Sequence, residues 1–290
     1  MLDIIYRYDP DNPVNRPSPL NGREACRVLE QGNREFAEML NPLHASHGPS
    51  VQVVPLDLRD FGIGDSEGIA PQQRPFAVVL GCSDARVPTE LVFNQACNSL
   101  FVVRVAGNVL GGECLGSIDF ALHNLGESIK ALVVLGHSGC GAVTAAVDAF
   151  LQPRAYLDLA SSHPLRAIVD RVLLAVRAAA KALEVAWGLD VASRPGYRHA
   201  LIETAVTLNA AFTASTLRQE FRDRLPSDLD VVFGVYNLVT RRVQVPTKGP
   251  LDVGLARTSE DVEALFHLAD ELARCQVIRD LLAEDGGKTA

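Results

Sequence analysis

Two short, continuously apolar runs, Phe76-Ala77-Val78-Val79-Leu80 and Ala131-Leu132-Val133-Val134-Leu135, are rich in β-branched residues, end at a glycine and give way at once to polar residues. Runs of that length without polar alternation predict parallel strands buried on both faces. A third run, Leu100-Phe101-Val102-Val103, lies between them. After it, Leu115, Ile118, Leu122 and Leu125 recur at helical spacing, which predicts a crossover helix over 114–125 leading back to the last of the three strands. Strand, strand, helix, strand is α/β order, with a mostly parallel central sheet flanked by helices.

Outside this stretch the pattern is mainly helical. Ala25, Val28, Leu29, Phe36 and Leu40 predict an amphipathic helix over 22–40, packed on the core or on a partner. Helices are expected over 165–187 and 198–221, the second interrupted only by the polar Asn209 and Thr213, and a last amphipathic helix over 260–282. Val231-Val232-Phe233-Gly234-Val235-Tyr236 reads as another strand, and Val243-Gln244-Val245 returns as a short antiparallel edge strand ending at Pro246. The proline-rich start is aperiodic, and 41–73 and 148–164 read as irregular connections. The expected organisation is an extended arm over 1–21, a core domain over 22–256 and a helical extension over 257–290.

At 290 residues and 48% hydrophobic content the chain can bury a full core, and 21% charged residues is ordinary for a globular protein. A net charge of -8 and a pI near 5.4, with no offsetting basic stripe, argue against nucleic acid or an anionic membrane as partner. Small molecules and proteins remain. No run approaches the roughly 18–20 apolar residues of a membrane span, and the first residues lack the basic and apolar regions of a signal peptide, so a cytoplasmic location is expected. In that setting the six cysteines stay reduced and are available to metal.

The candidate chemistry sits just past two strand ends. Cys82, Asp84 and Arg86 follow the first run, and His137 and Cys140 follow Leu135 and Gly136. In a parallel sheet, residues at the carboxyl ends of strands converge although distant in sequence. Two cysteines and one histidine bind Zn²⁺ and stop one ligand short of a tetrahedron, the mark of a catalytic site. Cys140 is expected at the start of a helix over 141–150, where free N–H groups favour thiolate. Asp84 is placed to accept a proton and Arg86 to hold it by a bidentate pair; the plainer reading of those two is a structural salt bridge. His44 and His47 lie in a loop with no cysteine or carboxylate close by and read as exposed polar residues. A thiol phosphatase is excluded because its Cys-x₅-Arg loop is absent: Arg86 comes too early and Pro88 holds the arginine's place. A dinucleotide site is excluded because the glycines of Gly136-His137-Ser138-Gly139-Cys140-Gly141 do not follow G-x-G-x-x-G.

Taken together, Cys82-Ser83-Asp84-Ala85-Arg86-Val87-Pro88, then Leu100-Phe101-Val102-Val103-Arg104-Val105-Ala106-Gly107-Asn108, then Gly136-His137-Ser138-Gly139-Cys140-Gly141-Ala142-Val143 closely resemble the β-class carbonic anhydrases. Weaker similarity reaches Glu30-Gln31-Gly32-Asn33-Arg34-Glu35-Phe36 and the hairpin over 233–245. The resemblance implies a β-carbonic anhydrase-like fold and a zinc lyase that interconverts CO₂ and bicarbonate by attack of zinc-bound hydroxide, with zinc on Cys82, His137 and Cys140 and a dyad of Asp84 and Arg86. It also implies that Asp84 is the fourth ligand in one resting form and is held off the metal by Arg86 in the other. Homodimers or multiples of dimers are implied, with the 22–40 helix as an arm across the boundary. Val79 stands where members gated by a second bicarbonate pocket carry tryptophan, which implies that this pocket is missing although Arg104 is present. Phe93-Asn94-Gln95-Ala96 departs from the family's Phe-Asp-Gln-Gly, leaving Gln95 either to hydrogen-bond substrate or simply to pack in the loop. The alternatives are a carbonyl sulfide or carbon disulfide hydrolase on the same site, or a silent zinc-stabilised assembly protein.

Overall fold

In the computed structural model the three runs become strands, the first and last fully buried on both faces and the third, Leu100–Val103, partly so. The structure describes residues 2–9, 11, 18–39, 50–55, 57–61, 63, 70–152, 154, 156–157, 162–246 and 254–283. Strands β3 (Ala77–Gly81), β4 (Leu100–Arg104), β5 (Ala131–His137) and β6 (Asp230–Tyr236) are parallel in the order β4-β3-β5-β6. Val78, Leu80, Leu132 and Val134 point into one apolar layer, and Ala77, Val79, Val133 and Leu135 into the other. This two-sided burial is why the runs show no polar alternation.

Two short strands, β7 (Val243–Gln244) and β8 (Ala256–Arg257), pair antiparallel with β6 on its outer edge. The antiparallel edge is therefore double, because Leu255 and its neighbours return the chain to the sheet. β8 is too brief to leave an alternating pattern in the sequence.

Helix α1 (Gly22–Met39) and the single turn α2 (Thr89–Val92) cover one face of the sheet, while α3 (Gly112–Leu125) crosses over the other. α1 packs on its own chain's sheet: Ala25 and Leu29 have no exposed surface. Its approach is close enough that a Cβ at Gly32 would lie 1.9 Å from the Phe93 carbonyl oxygen. Asn33 is buried beside it, donating from Nδ2 to the carbonyls of Val92 and Arg241 (3.0 Å each) and accepting from the Val243 amide at 2.7 Å. One side chain thus ties α1 to the turn after β3 and to the edge hairpin.

Between β5 and β6 run α4 (Gly141–Leu151), α5 (His163–Trp187) and α6 (Tyr197–Glu220). α6 is buried along most of its length, and alanines at 200, 205, 210, 211 and 214 let it lie close against the strands. The last helical stretch is broken into α7 (Val262–Ala273) and α8 (Gln276–Ala283), where the sequence pattern predicts one helix. The break is compensated: the Trp187 indole donates to the Ala273 carbonyl at 2.8 Å, and Arg279 Nε to the Arg274 carbonyl at 2.9 Å. The 41–73 connection likewise holds structure, since β2 (Ser50–Pro55) pairs in parallel with β1 (Leu2–Arg7). His44 and His47 lie outside the described residues. Among the described residues no helix is long and apolar enough to cross a membrane.

What positions the site is the divergence of connections. The chain leaves β3 for β4 on one side, and leaves β5 for β6 on the other, so a crevice opens past the ends of β3 and β5. Gly81 pairs with Leu135, so Cys82 leaves β3 level with Gly136 and one residue short of His137.

Candidate metal centre

Cys82 follows the last residue of β3, His137 is the last residue of β5, and Cys140 caps the start of α4. The register therefore brings the three together, and their ligand atoms all lie within 4.8 Å of one another. All three are buried, His137 completely. The sulfurs of Cys82 and Cys140 are 3.9 Å apart. That is far beyond a disulfide, and close to the separation of about 3.8 Å set by two sulfurs each about 2.3 Å from a common tetrahedral ion. Both sulfurs belong to an apolar cluster with Val109, Val143 and Val147, which keeps water from their flank.

The His137 ring is oriented for the same purpose. Nδ1 lies 3.1 Å from the Ser138 carbonyl, so it carries the proton and donates, leaving Nε2 with a bare lone pair. That Nε2 is buried and has no hydrogen-bond partner among the described residues. A buried, unpartnered acceptor facing two sulfurs is costly unless a cation takes it. The donor set fits a zinc ion.

Charge on the two thiols is shared. A thiolate at Cys82 is favoured by hydrogen bonds from Cys140 and from the Gly107 amide, which lies 3.3 Å from its sulfur, and by the neighbouring His137 ring; these pull the Cys82 pKa down to about 4. The same pairing, with burial, drives the Cys140 thiol upward despite its place at a helix start. Two sulfurs in contact cannot both ionise easily without a cation between them. Burial pushes the His137 imidazole down, but its contacts with Cys82 and Asp84 outweigh this and leave it raised.

Asp84 stands at the rim, with Oδ2 3.8 Å from His137 Nε2. Arg86 holds both of its oxygens, Nε to Oδ1 at 3.0 Å and Nη2 to Oδ2 at 2.7 Å, and the Arg86 amide adds a third bond to Oδ1 at 2.9 Å. These bonds hold the Asp84 carboxyl well below the usual carboxylate range. The loop is fixed from below by Arg104, which donates to the carbonyls of Cys82 (3.0 Å) and Asp84 (2.5 Å).

Of the two readings for Gln95, its contacts are those of packing. It is buried, and its Nε2 donates to the Phe93 carbonyl at 2.8 Å, closing the turn against which Gly32 packs. Asn94 bonds Glu35 at 2.9 Å. Three contributors to the site escaped the sequence reading. The Gly107 amide reaches the Cys82 sulfur, Glu203 accepts from the Gly139 amide at 3.1 Å, and Asn209 donates to the Gly107 carbonyl at 2.8 Å. The available signal for the last was its polarity in an alanine-rich helix.

A family model described as carbonic anhydrase matches residues 77–242, more than half of the chain. Carbonic anhydrase 2 of Mycobacterium tuberculosis is 38% identical over 125 residues, 43% of this chain and 52% of that protein. A carbonic anhydrase of Mycolicibacterium smegmatis is 39% identical over the same length, with the same 43% and 52% coverage. The chain thus spans about half the length of the curated relatives it matches. A solved Coccomyxa β-carbonic anhydrase in complex with acetazolamide is 21% identical, with 81% of this chain and 89% of that one covered at a TM-score of 0.49. With the family model spanning all four parallel strands and the residues of the Cys-His-Cys cluster, the chain belongs to the β-class carbonic anhydrase family.

Proposed function

We propose that this chain is a zinc enzyme that interconverts CO₂ and bicarbonate, with Cys82, His137 and Cys140 as metal ligands and Asp84 and Arg86 as the catalytic dyad. The observation that carries the reading is the buried trio of two sulfurs and one unpartnered imidazole nitrogen within 4.8 Å. A zinc ion there supplies Lewis acidity, lowering the pKa of a water against the charge of two thiolates.

The residues divide the remaining work. Arg86 engages both Asp84 oxygens, which reserves the carboxylate for proton transfer rather than for a fourth place on the metal. Asp84 lies between fully buried His137 and Arg86, whose side chain is 61% exposed, so a proton taken at Oδ2 has a short way to solvent. The apolar wall of Val109 and Val143 suits an uncharged substrate.

Homodimers or multiples of dimers, in the cytoplasm, complete the proposal. Support for assembly comes from Leu174 and Val185, both more than half exposed and about three turns apart on one face of α5. Stopped-flow CO₂ hydration by the zinc-loaded protein is the test. Turnover well above buffer is expected; sulfide release from carbonyl sulfide without CO₂ hydration would change the substrate, and activity on neither would contradict an enzyme.

A further inference from the structure

Asn209 is a polar residue in the middle of a buried, alanine-rich helix, only 4% exposed, and it needs a partner. Its Nδ2 reaches a residue far away in sequence, donating to the Gly107 carbonyl at 2.8 Å. Gly107 in turn donates its own amide to the Cys82 sulfur at 3.3 Å. Gly107 has φ 67°, in the left-handed region, and a Cβ there would lie 3.0 Å from the Ala142 Cβ. The turn thus uses a conformation that residues with side chains rarely adopt, and the Asn209 bond pins it where its amide meets the sulfur.

We propose that Asn209 is a positioning residue for the metal centre, fixing Gly107 so that its amide stays bonded to the sulfur of Cys82. This rests on the zinc reading of the site. A hydrogen bond to a thiolate sulfur sets its orientation and tempers its charge, and so sets how firmly it grips a soft cation. Through Asn209, α6 reaches the β3 loop and couples the largest buried helix to one ligand. Outer partners of this kind typically govern metal affinity by about 10–100-fold.

Cobalt(II) is the probe, because a sulfur-to-cobalt charge-transfer band reports the Cys–metal bond without any turnover. The full chain is compared with Asn209→Leu, of similar bulk but with no donor, and with Asn209→Asp, of the same shape, should the leucine prevent folding. Thr213→Val serves as a control on the same helix, since Thr213 is buried there and has no part in the site. The expected result is a shifted band and cobalt affinity lowered about 10–100-fold in the Asn209 variants, with Thr213→Val matching the parent. Asn209 variants with the parent's band and affinity would overturn the positioning role while leaving the metal site intact. Equal band shifts in Thr213→Val would also overturn it, by showing a general loosening of α6. A parent protein that takes up no cobalt would overturn the zinc reading, and this inference with it.

Discussion

At His137 a single choice of tautomer decides the chemistry. Because Nδ1 is spent on the Ser138 carbonyl, only Nε2 is left to bind, and it faces the two sulfurs. His137→Ala or Cys82→Ala is expected to hold little zinc after dialysis against a chelator that leaves the parent loaded, as read by elemental analysis. Asp84→Asn keeps all three donors, so it should stay loaded yet lose at least about 100-fold in kcat, the usual scale of a lost proton acceptor; parent-like turnover would remove Asp84 from the mechanism. The Asp84 carboxyl is depressed by its Arg86 hydrogen bonds. Its ion pair therefore contributes stability fully above the unfolded carboxylate value of about 3.9, and loses it as pH falls through the folded value. In metal-free protein, the gap in urea midpoint between parent and Asp84→Asn should be widest near neutrality and narrow below about pH 4. The clustering of Cys82, His137 and Cys140 was legible in sequence because each follows a glycine-closed apolar run. Asn209 and Glu203 were not, since their partners, Gly107 and Gly139, are backbone groups brought near only by packing.

Elements with strong periodicity were the readable ones. The runs at 76–80 and 131–135 had no polar position because both faces of the sheet are covered, and that requires the crossovers actually seen. The C-terminal break was hidden because Trp187, distant in sequence, takes the Ala273 carbonyl and makes two helices as satisfied as one. The β1–β2 pair was hidden because proline and glycine surround a short strand that pairs far away. α1 is joined to the turn that ends α2 by contact too close for any side chain at Gly32, which a Cβ would bring to 1.9 Å from the Phe93 oxygen. Gly32→Ala is therefore expected to cost about 1–3 kcal/mol in urea unfolding, or more if α1 detaches. Asn33→Leu should cost a similar amount, by leaving the buried Val243 amide without its acceptor.

For the whole molecule, the divergence of the chain on either side of β3 and β5 brings Cys82, His137 and Cys140 together past the strand ends, inside the stretch the family model matches. Light scattering of the purified protein is expected to give a dimer or a multiple of it, and a stable monomer would remove the assembly from the proposal. The measurement that bears most directly on the central claim is X-ray absorption at the zinc edge of the purified, zinc-loaded chain. Two sulfur and one imidazole nitrogen neighbours, at about 2.3 and about 2.0 Å, are expected for the parent, and one sulfur fewer for Cys140→Ala. A zinc shell without sulfur, or one unchanged by Cys140→Ala, would contradict it.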